Sequence, residues 1–266
     1  MFYQTERINK SISAIKYTYQ NGIKEPIHEH QVIQILHILN GVIRVYTKGT
    51  CWVIPPSRGL LIPAGVPHSL VAVGSVEVRT LFIDPYARAD LSNELGIFQV
   101  NSLLRELINT ASDFPSDRVA SPREERINEL ILDELRLIQL TDFNVAMPTT
   151  KELQNFCDRV AAHLERPWEL ADVAFFLNVS ARTISRRFHM ETGMSFGEWL
   201  RRFRILKSME LLASGYSVMD AAVAVGYDSH SSFSTMFKKR IGISPNSFVA
   251  YPNQNHESEV LLNTEQ

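Results

Sequence analysis

The chain has almost no cysteine: Cys51 and Cys157 are far apart and lack any paired-cysteine spacing. That excludes a disulfide framework and a cysteine-based zinc finger, and it fits a reducing cytoplasm. No uninterrupted apolar run approaches the roughly 20 residues that span a bilayer. The opening Met1-Phe2-Tyr3-Gln4-Thr5-Glu6 carries no basic segment leading into an apolar one. Neither a membrane anchor nor a secretory leader is expected, so the sequence points to a cytoplasmic protein. Charge of one sign is missing too, with 27 Lys and Arg against 29 Asp and Glu and a formal net charge of −2. The overall balance gives no hint of nucleic-acid binding, and charge has to be read locally. What remains is an ordinary globular composition, 45% hydrophobic and 21% charged, over 266 residues. That length is natural for two domains, each able to bury a core.

The most informative stretch, 168–247, is written twice. Leu170, Ala174, Leu177 and Asn178 recur 48 positions later as Val218, Ala222, Val225 and Gly226. Ser180, Ile184, Phe188, Gly193 and Ser195 recur 49 positions later as Ser229, Phe233, Phe237, Gly242 and Ser244. The added residue falls in the turn inside each unit, where a length change costs least. Each copy reads as a helix, a tight turn and a second helix. Asn178 and Gly226 tolerate left-handed geometry at the turn, and Ser180 and Ser229 supply N-caps. Ile184 with Phe188, and Phe233 with Phe237, are spaced to point inward. Arg182, Thr183, Ser185, Arg186 and Arg187 are left outside in the first copy, and His230, Ser231, Ser234, Thr235, Lys238 and Lys239 in the second.

Between Ser180 and Pro245, ten cations face five acids, and the excess sits on or beside the two outer helices. Paired helix-turn-helix units with donor-rich second helices are the expected form of a DNA reader. A long helix joins the units, with an apolar stripe of Phe196, Trp199, Leu200, Phe203, Leu206, Met209 and Leu212, and Arg201, Arg202, Arg204 and Lys207 around its other side.

The same residues carry a family resemblance. The run Val179 to Phe188, then Glu191-Thr192-Gly193, Gly226-Tyr227-Asp228-Ser229, Phe237-Lys238 and Gly242-Ile243-Ser244-Pro245 resembles the C-terminal domain of AraC/XylS-type transcription regulators. The resemblance implies binding to double-stranded promoter or operator DNA. Carried over residue by residue, it makes Arg182, Ser185, Arg186, His230, Ser231 and Thr235 candidates for base edges, and Arg187, Lys238 and Lys239 candidates for phosphates. Covalently paired units are expected to span about one DNA turn, ~34 Å.

The first third alternates β-rich runs with turn residues. Ile33 to Leu39 ends at Asn40-Gly41, a hairpin signal, and Val42 to Tyr46 continues beyond it. Cys51 to Ile54 stops at Pro55-Pro56, Gly59 to Ile62 stops at Pro63-Ala64-Gly65, and Val76 to Ile83 follows. Short strands without intervening helices imply an antiparallel sandwich or barrel. Within it, Gly22, His28, His30, Gln34 and Gly41 have the spacing of the first cupin motif, with Gln34 where a glutamate normally stands. Pro63, Gly65 and His68 resemble the second motif, although Gly59 sits closer than usual and Ala72 replaces an asparagine. The resemblance implies a cupin-like barrel in which His28, His30, Gln34 and His68 face an effector or a divalent transition metal. His28 and His30 share strand parity with Gln34, whereas His37 does not.

From about Asp90 the pattern turns helical, with a stripe of Leu103, Leu104, Leu107 and Ile108. Ser121-Pro122-Arg123-Glu124 then combines an N-cap, proline at the first helical position and glutamate three after the cap. The helix it opens carries Ile127, Leu130, Ile131, Leu135 and Ile138, widened by Leu132, Leu137 and Leu140. That surface is broad enough to pack on its own barrel and on a second copy. Thr141 to Thr150 reads as a linker, and Leu153, Phe156, Cys157, Val160 and Leu164 as a lead-in helix.

The fold class expected is thus α+β: an N-terminal antiparallel β-barrel with a helical segment, and a C-terminal all-α domain with two helix-turn-helix units. The divisions are 1–90 for the barrel, 91–147 for the helical dimerisation or packing segment, 148–251 for the DNA-binding domain and 252–266 for a disordered tail. The function expected is an effector-responsive, sequence-specific transcription regulator, not an enzyme. Its partners would be DNA, a second copy of itself, an unidentified small-molecule or metal effector and, for an activator, RNA polymerase. The alternative is a metal-dependent cupin oxygenase or isomerase. The amide at Gln34, a poor ligand for a hard cation, counts against it.

Overall fold

The structure is a computed structural model and describes residues 11–115, 118–141 and 144–250. The expected tail, 252–266, lies outside the described residues. In chain order the strands are β1 (Ile12–Tyr19), β2 (Lys24–His28), β3 (Ile33–Thr47), β4 (Thr50–Ile54), β5 (Arg58–Ile62), β6 (His68–Ile83), β7 (Gly96–Gln99) and, after two helices, β8 (Asn144–Ala146). Those helices are α1 (Ser102–Ala111) and α2 (Pro122–Arg136); α3 (Lys151–Ala162), α4 (Leu170–Leu177), α5 (Ala181–Thr192), α6 (Phe196–Ala213), α7 (Val218–Ala224), α8 (His230–Ile241) and α9 (Pro245–Ala250) follow. The described residues divide into two compact units, one within 11–47 and 54–141, the other within 48–53 and 144–250.

The first unit is organised on β3 and β6, which pair antiparallel along almost their whole length. β1 lies along the second half of β6, from Ile12 opposite Ile83 to Tyr19 opposite Val76, and β2 lies along its first half. β5 pairs with the start of β3 and, on its other side, with β7. Directly opposite residues share a face, so Ile33, Ile35, Leu81 and Ile83 form one face. Leu104 and Ile108 of α1 and Ile131, Leu132 and Leu135 of α2 cover it, together with Phe98. The other face carries Gln34, Thr80 and Phe82, continued on β1 by Tyr17 and Tyr19. Burial on both faces explains why β3 reads as a continuous apolar run.

Two sequence expectations are corrected here. The sheet does not close into a barrel: among the described residues no ladder joins β7 to β1 or β2. Pro55-Pro56 and Pro63 bracket β5 and supply no N–H donors, so the edge beyond β3 stays short. Nor is Asn40-Gly41 a hairpin. β3 runs straight through it, and the register with β6 slips on both sides of Asn40. Asn40 Oδ1 accepts the Gly41 N–H at 2.8 Å, and Gly41 takes φ 73°. A β-carbon there would meet the Ser75 carbonyl oxygen at 2.5 Å. The left-handed geometry that suits a tight turn therefore serves a bulge against a crossing backbone.

α2 begins as its sequence signals. Ser121 and Glu124 form a reciprocal capping box with Pro122 in the first turn, and Arg118 donates twice to the Glu124 carboxylate, at 2.6 and 2.9 Å. Those bonds, with backbone donation from Ser121, hold the Glu124 carboxyl down to about 2. Ile131, Leu132 and Leu135 face the sheet, whereas Leu130 is 39% and Leu137 67% exposed. The helix stops at Arg136, which puts Ile138 and Leu140 beyond it.

In the second unit, the segment read as a linker contains β8, which pairs with Thr50 to Trp52 of β4. Trp199 Nε1 donates to the Ala146 carbonyl at 3.1 Å, and an Arg202 nitrogen donates to the Asn144 carbonyl at 3.3 Å. Glu191 Oε2 accepts from the backbone N–H groups of Thr149 and Thr150, both at 3.0 Å. Residues 144–150 are thus part of the helical unit. No described helix is long and apolar enough to cross a membrane.

Candidate functional site

Both helix-turn-helix copies form as the repeat requires. Ser180 Oγ accepts the Thr183 N–H at 3.1 Å and Ser229 Oγ accepts the Ser232 N–H at 3.2 Å, capping α5 and α8. Ile184, Phe188, Phe233 and Phe237 are all fully buried. With those faces fixed inward, Arg182, Ser185 and Arg186 on α5, and His230, Ser231 and Thr235 on α8, are all exposed, facing away from the buried pairs. Lys238 and Lys239 are exposed in the last turn of α8.

Arg187 is placed differently. It is half-buried, donating to Glu191 of its own helix and to Glu152 of α3, each at 3.2 Å. Four more arginines of the basic cluster also work inside the unit. Glu198, at the start of α6, holds Arg201 at 3.1 Å, Arg202 at 3.1 Å and Arg240 of α8 at 3.2 Å. Arg204 donates to the Leu164 and Arg166 carbonyls at 2.9 and 2.7 Å. Arg182, Arg186, Lys238 and Lys239 remain as exposed cations on the two outer helices, where a duplex would meet them.

On the first unit, three histidines converge. His28 and His68 are register partners where β2 meets β6, and their rings lie 4.4 Å apart. His30 joins them, with potential ligand atoms of all three within 4.8 Å of one another. His28 Nδ1 donates to the Pro26 carbonyl and His68 Nδ1 to the Val66 carbonyl, each at 2.8 Å. A carbonyl only accepts, so each Nδ1 carries a proton, and in the neutral ring Nε2 carries the lone pair. His68 Nε2, His30 Nδ1 and Gln34 Oε1 are buried without a hydrogen-bond partner among the described residues. Burial pushes His30 down to about 4, helped by His28 and His68. It also pushes His68 down to about 4 against the Val66 bond. Neutral imidazoles with oriented lone pairs fit a borderline divalent ion. A cavity of about 400 Å³ opens beside them, walled by Tyr17, Tyr19 and Phe82 and floored by His28, His30 and Gln34.

Sequence reasoning missed Tyr17, Tyr19 and Phe82 as cavity residues, and with them the charged Glu25. Tyr19 donates its hydroxyl to Glu25 Oε1 at 2.6 Å, and Glu25 Oε2 lies 3.9 Å from His28 Nε2. Strand parity puts position 25 on the face opposite 28, but the register slips between them. His37, outside the parity of the other three, is indeed apart from them: it is fully buried and donates from Nδ1 to the Arg58 carbonyl at 3.2 Å.

An antiparallel ligand-binding fold carried with two helix-turn-helix units defines a DNA-binding transcription regulator. Residues 9–156 match the AraC-like ligand binding domain and residues 173–250 a helix-turn-helix domain. The chain belongs to the AraC family of transcription regulators. It is 28% identical over 251 residues to the HTH-type transcriptional regulator NimR of Escherichia coli K12, covering 93% of this chain and 91% of NimR. Among solved structures it is similar to ToxT of Vibrio cholerae, at 17% identity and a TM-score of 0.38, over 91% of this chain and 99% of ToxT. It is also similar to the DNA-binding domain of AdpA, solved with a target DNA, at 29% identity and a TM-score of 0.36, over 38% of this chain and 92% of that domain. The enzyme alternative draws no support from these families.

Proposed function

We propose that this regulator reads promoter DNA by laying α5 and α8 in successive major grooves, acting as a cytoplasmic homodimer without catalytic activity. The observation that carries the reading is the outward placement of Arg182, Ser185 and Arg186 on one helix and His230, Ser231 and Thr235 on the other, over buried pairs at matching positions. Lys238 and Lys239 meet phosphates. Arg187, engaged with two carboxylates, helps to position α5. Dimerisation uses the exposed apolar residues of α2, and RNA polymerase is a further partner where the regulator activates. Footprinting on the chain's own promoter tests this: two protected blocks about ten base pairs apart per half-site are expected. Uniform protection without sequence preference would overturn it.

The sensing function is assigned to the cavity at His28, His30, Gln34 and His68. The unpartnered lone pairs at its floor support a divalent transition ion as cofactor or effector, held by the three imidazoles, with Gln34 donating weakly or holding a water. Calorimetric titration of the whole chain with Zn²⁺ tests this. Heat for one ion per chain, lost on replacing the three histidines by alanine, is expected; absence of heat in the native chain removes the metal.

A further inference from the structure

We infer that Glu25 is the fourth protein ligand of the ion held by His28, His30 and His68, and that Tyr19 is its positioning residue; the inference rests on the metal reading of that cavity.

The gap between Glu25 Oε2 and His28 Nε2, 3.9 Å, is too long for a hydrogen bond. It suits an ion between them. Ligand atoms bound at about 2.1 Å to one tetrahedral ion stand roughly 3.4 Å apart, so nitrogen and oxygen need to close by about half an ångström. The three histidines, with ligand atoms within 4.8 Å of one another, have to draw together by up to about 1.4 Å to share that ion. Both ends of the gap are oriented from outside. The Pro26 carbonyl fixes the His28 proton on Nδ1 and turns Nε2 inward. The Tyr19 hydroxyl, 2.6 Å from Oε1, occupies one carboxylate oxygen and leaves the other facing His28. A ligating carboxylate held by a second hydrogen bond is the usual arrangement around a bound metal.

Glu25 also answers the weakness of the sequence pattern. Gln34 cannot supply negative charge, and three neutral imidazoles leave a divalent ion with its full charge in a partly buried site. One carboxylate lowers that to a single positive charge. Glu25 supplies it from β2 itself, because the register slip between positions 25 and 28 turns both toward the cavity. Gln34 then holds a water beside the ion, the second of the two roles proposed for it.

The test uses the full chain and Co²⁺ alone, read by visible absorption. Wild type is expected to bind one equivalent with a coordinated-cobalt spectrum. Glu25→Gln lowers affinity by about 10- to 100-fold and changes the spectrum. Tyr19→Phe weakens binding less and keeps the wild-type spectrum. Glu25→Cys gives the decisive signal, a thiolate-to-cobalt charge-transfer band in the near ultraviolet that appears when position 25 reaches the ion. Melting of the metal-free variants at the wild-type temperature separates ligand loss from misfolding. Cobalt bound by Glu25→Cys without that band, or by Glu25→Gln with unchanged affinity and spectrum, overturns the role of Glu25 and leaves the metal reading standing. No cobalt on wild type, or equal binding after alanine replaces all three histidines, overturns the metal reading and this inference with it.

Discussion

Arg204 occupies the space that a side chain at Gly226 would need. A β-carbon built at Gly226 would lie 2.8 Å from Nη2 of Arg204 and 2.8 Å from the Leu164 carbonyl oxygen that this nitrogen binds. Gly226 also holds φ 81°. The turn of the second reading unit, the connecting helix α6 and the segment after α3 therefore meet at one glycine. Gly226→Ala combines left-handed strain with displacement of a half-buried guanidinium, and is expected to cost about 1–3 kcal/mol. Urea denaturation checks it, and an unchanged midpoint would show that the turn can relax.

Glu191 is the cap that α3 lacks. Thr150, at the N-cap position, makes no side-chain cap of its own, and Glu191 takes its N–H and that of Thr149 instead. Glu191→Ala is expected to cost about 1–2 kcal/mol. Burial raises the Glu191 carboxyl, but hydrogen bonds from Thr150, Arg187 and Thr149 outweigh it, so the group lies below its ordinary 4.5. A depressed carboxylate contributes stability above the unfolded-state value and loses it as pH falls through the folded one. The gap between wild type and Glu191→Ala should thus be full at pH 7 and narrow below about pH 4.5. A gap that stayed constant to low pH would mean that the stabilisation Glu191 provides is not electrostatic.

The helical half was legible because its signals are local. Serine caps, glycine ends and apolar pairs four apart fix α5 and α8 with no knowledge of the rest of the chain. Local patterning did not reveal which arginines stay outward, since Arg187 and Arg204 meet partners up to 40 residues away. The buried Val173 of α4 and Ile205 of α6 escaped notice beside more conspicuous stripes. In the sheet, His28, His30 and His68 were placed by motif spacing and do converge, although β2 ends at His28 and strand parity does not carry to His30 or to Gln34 on β3. Glu25 was lost because a register slip reverses parity, and Asn40-Gly41 misled because hairpin and bulge ask the same geometry of glycine. β8 was hidden in a stretch whose proline and polar neighbours suggest a linker, and it becomes a strand only because β4 pairs with it.

His37 sets a pH dependence that does not involve the cavity. Burial, opposed by the Arg58 carbonyl bond and aided by Arg105 and Arg79, pushes it down to about 4 from 6.5. The unfolded chain then binds the proton that the folded chain refuses between these values, so stability is full above pH 6.5 and falls as pH drops toward 4. The loss is on the order of 3 kcal/mol at most. The Glu191 carboxylate titrates lower, leaving the interval from about pH 4.5 to 6.5 to histidines. His37→Gln should flatten urea midpoints across that interval. An unaltered slope would assign it to His30 and His68.

Leu130 of α2 and Leu137, which caps its C-terminus, leave apolar surface that the sheet does not cover. Replacing both with aspartate should shift the proposed dimer to monomer in sedimentation with little change in melting, since neither side chain is in the core. A dimer that persists would exclude this helix from the interface.

Arg186 and the Lys238–Lys239 pair should separate specificity from affinity. Arg186 is exposed on α5 one turn beyond Arg182, where its fork can bond two acceptors of one guanine. Arg186→Ala is expected to lose about 1–3 kcal/mol on the cognate site and far less on random duplex. The lysines are exposed in the last turn of α8, past the residues proposed for base edges, and offer point charges rather than forks. Their replacement by glutamine should weaken cognate and random DNA alike. It should also reduce the slope of log K against log salt by about 0.9 for each phosphate no longer neutralised. Fluorescence anisotropy with both duplexes over a salt series measures the two quantities together. Equal losses on both duplexes for Arg186→Ala would move that residue to the phosphates, and a salt slope unchanged by the lysine substitutions would take the end of α8 off the DNA backbone.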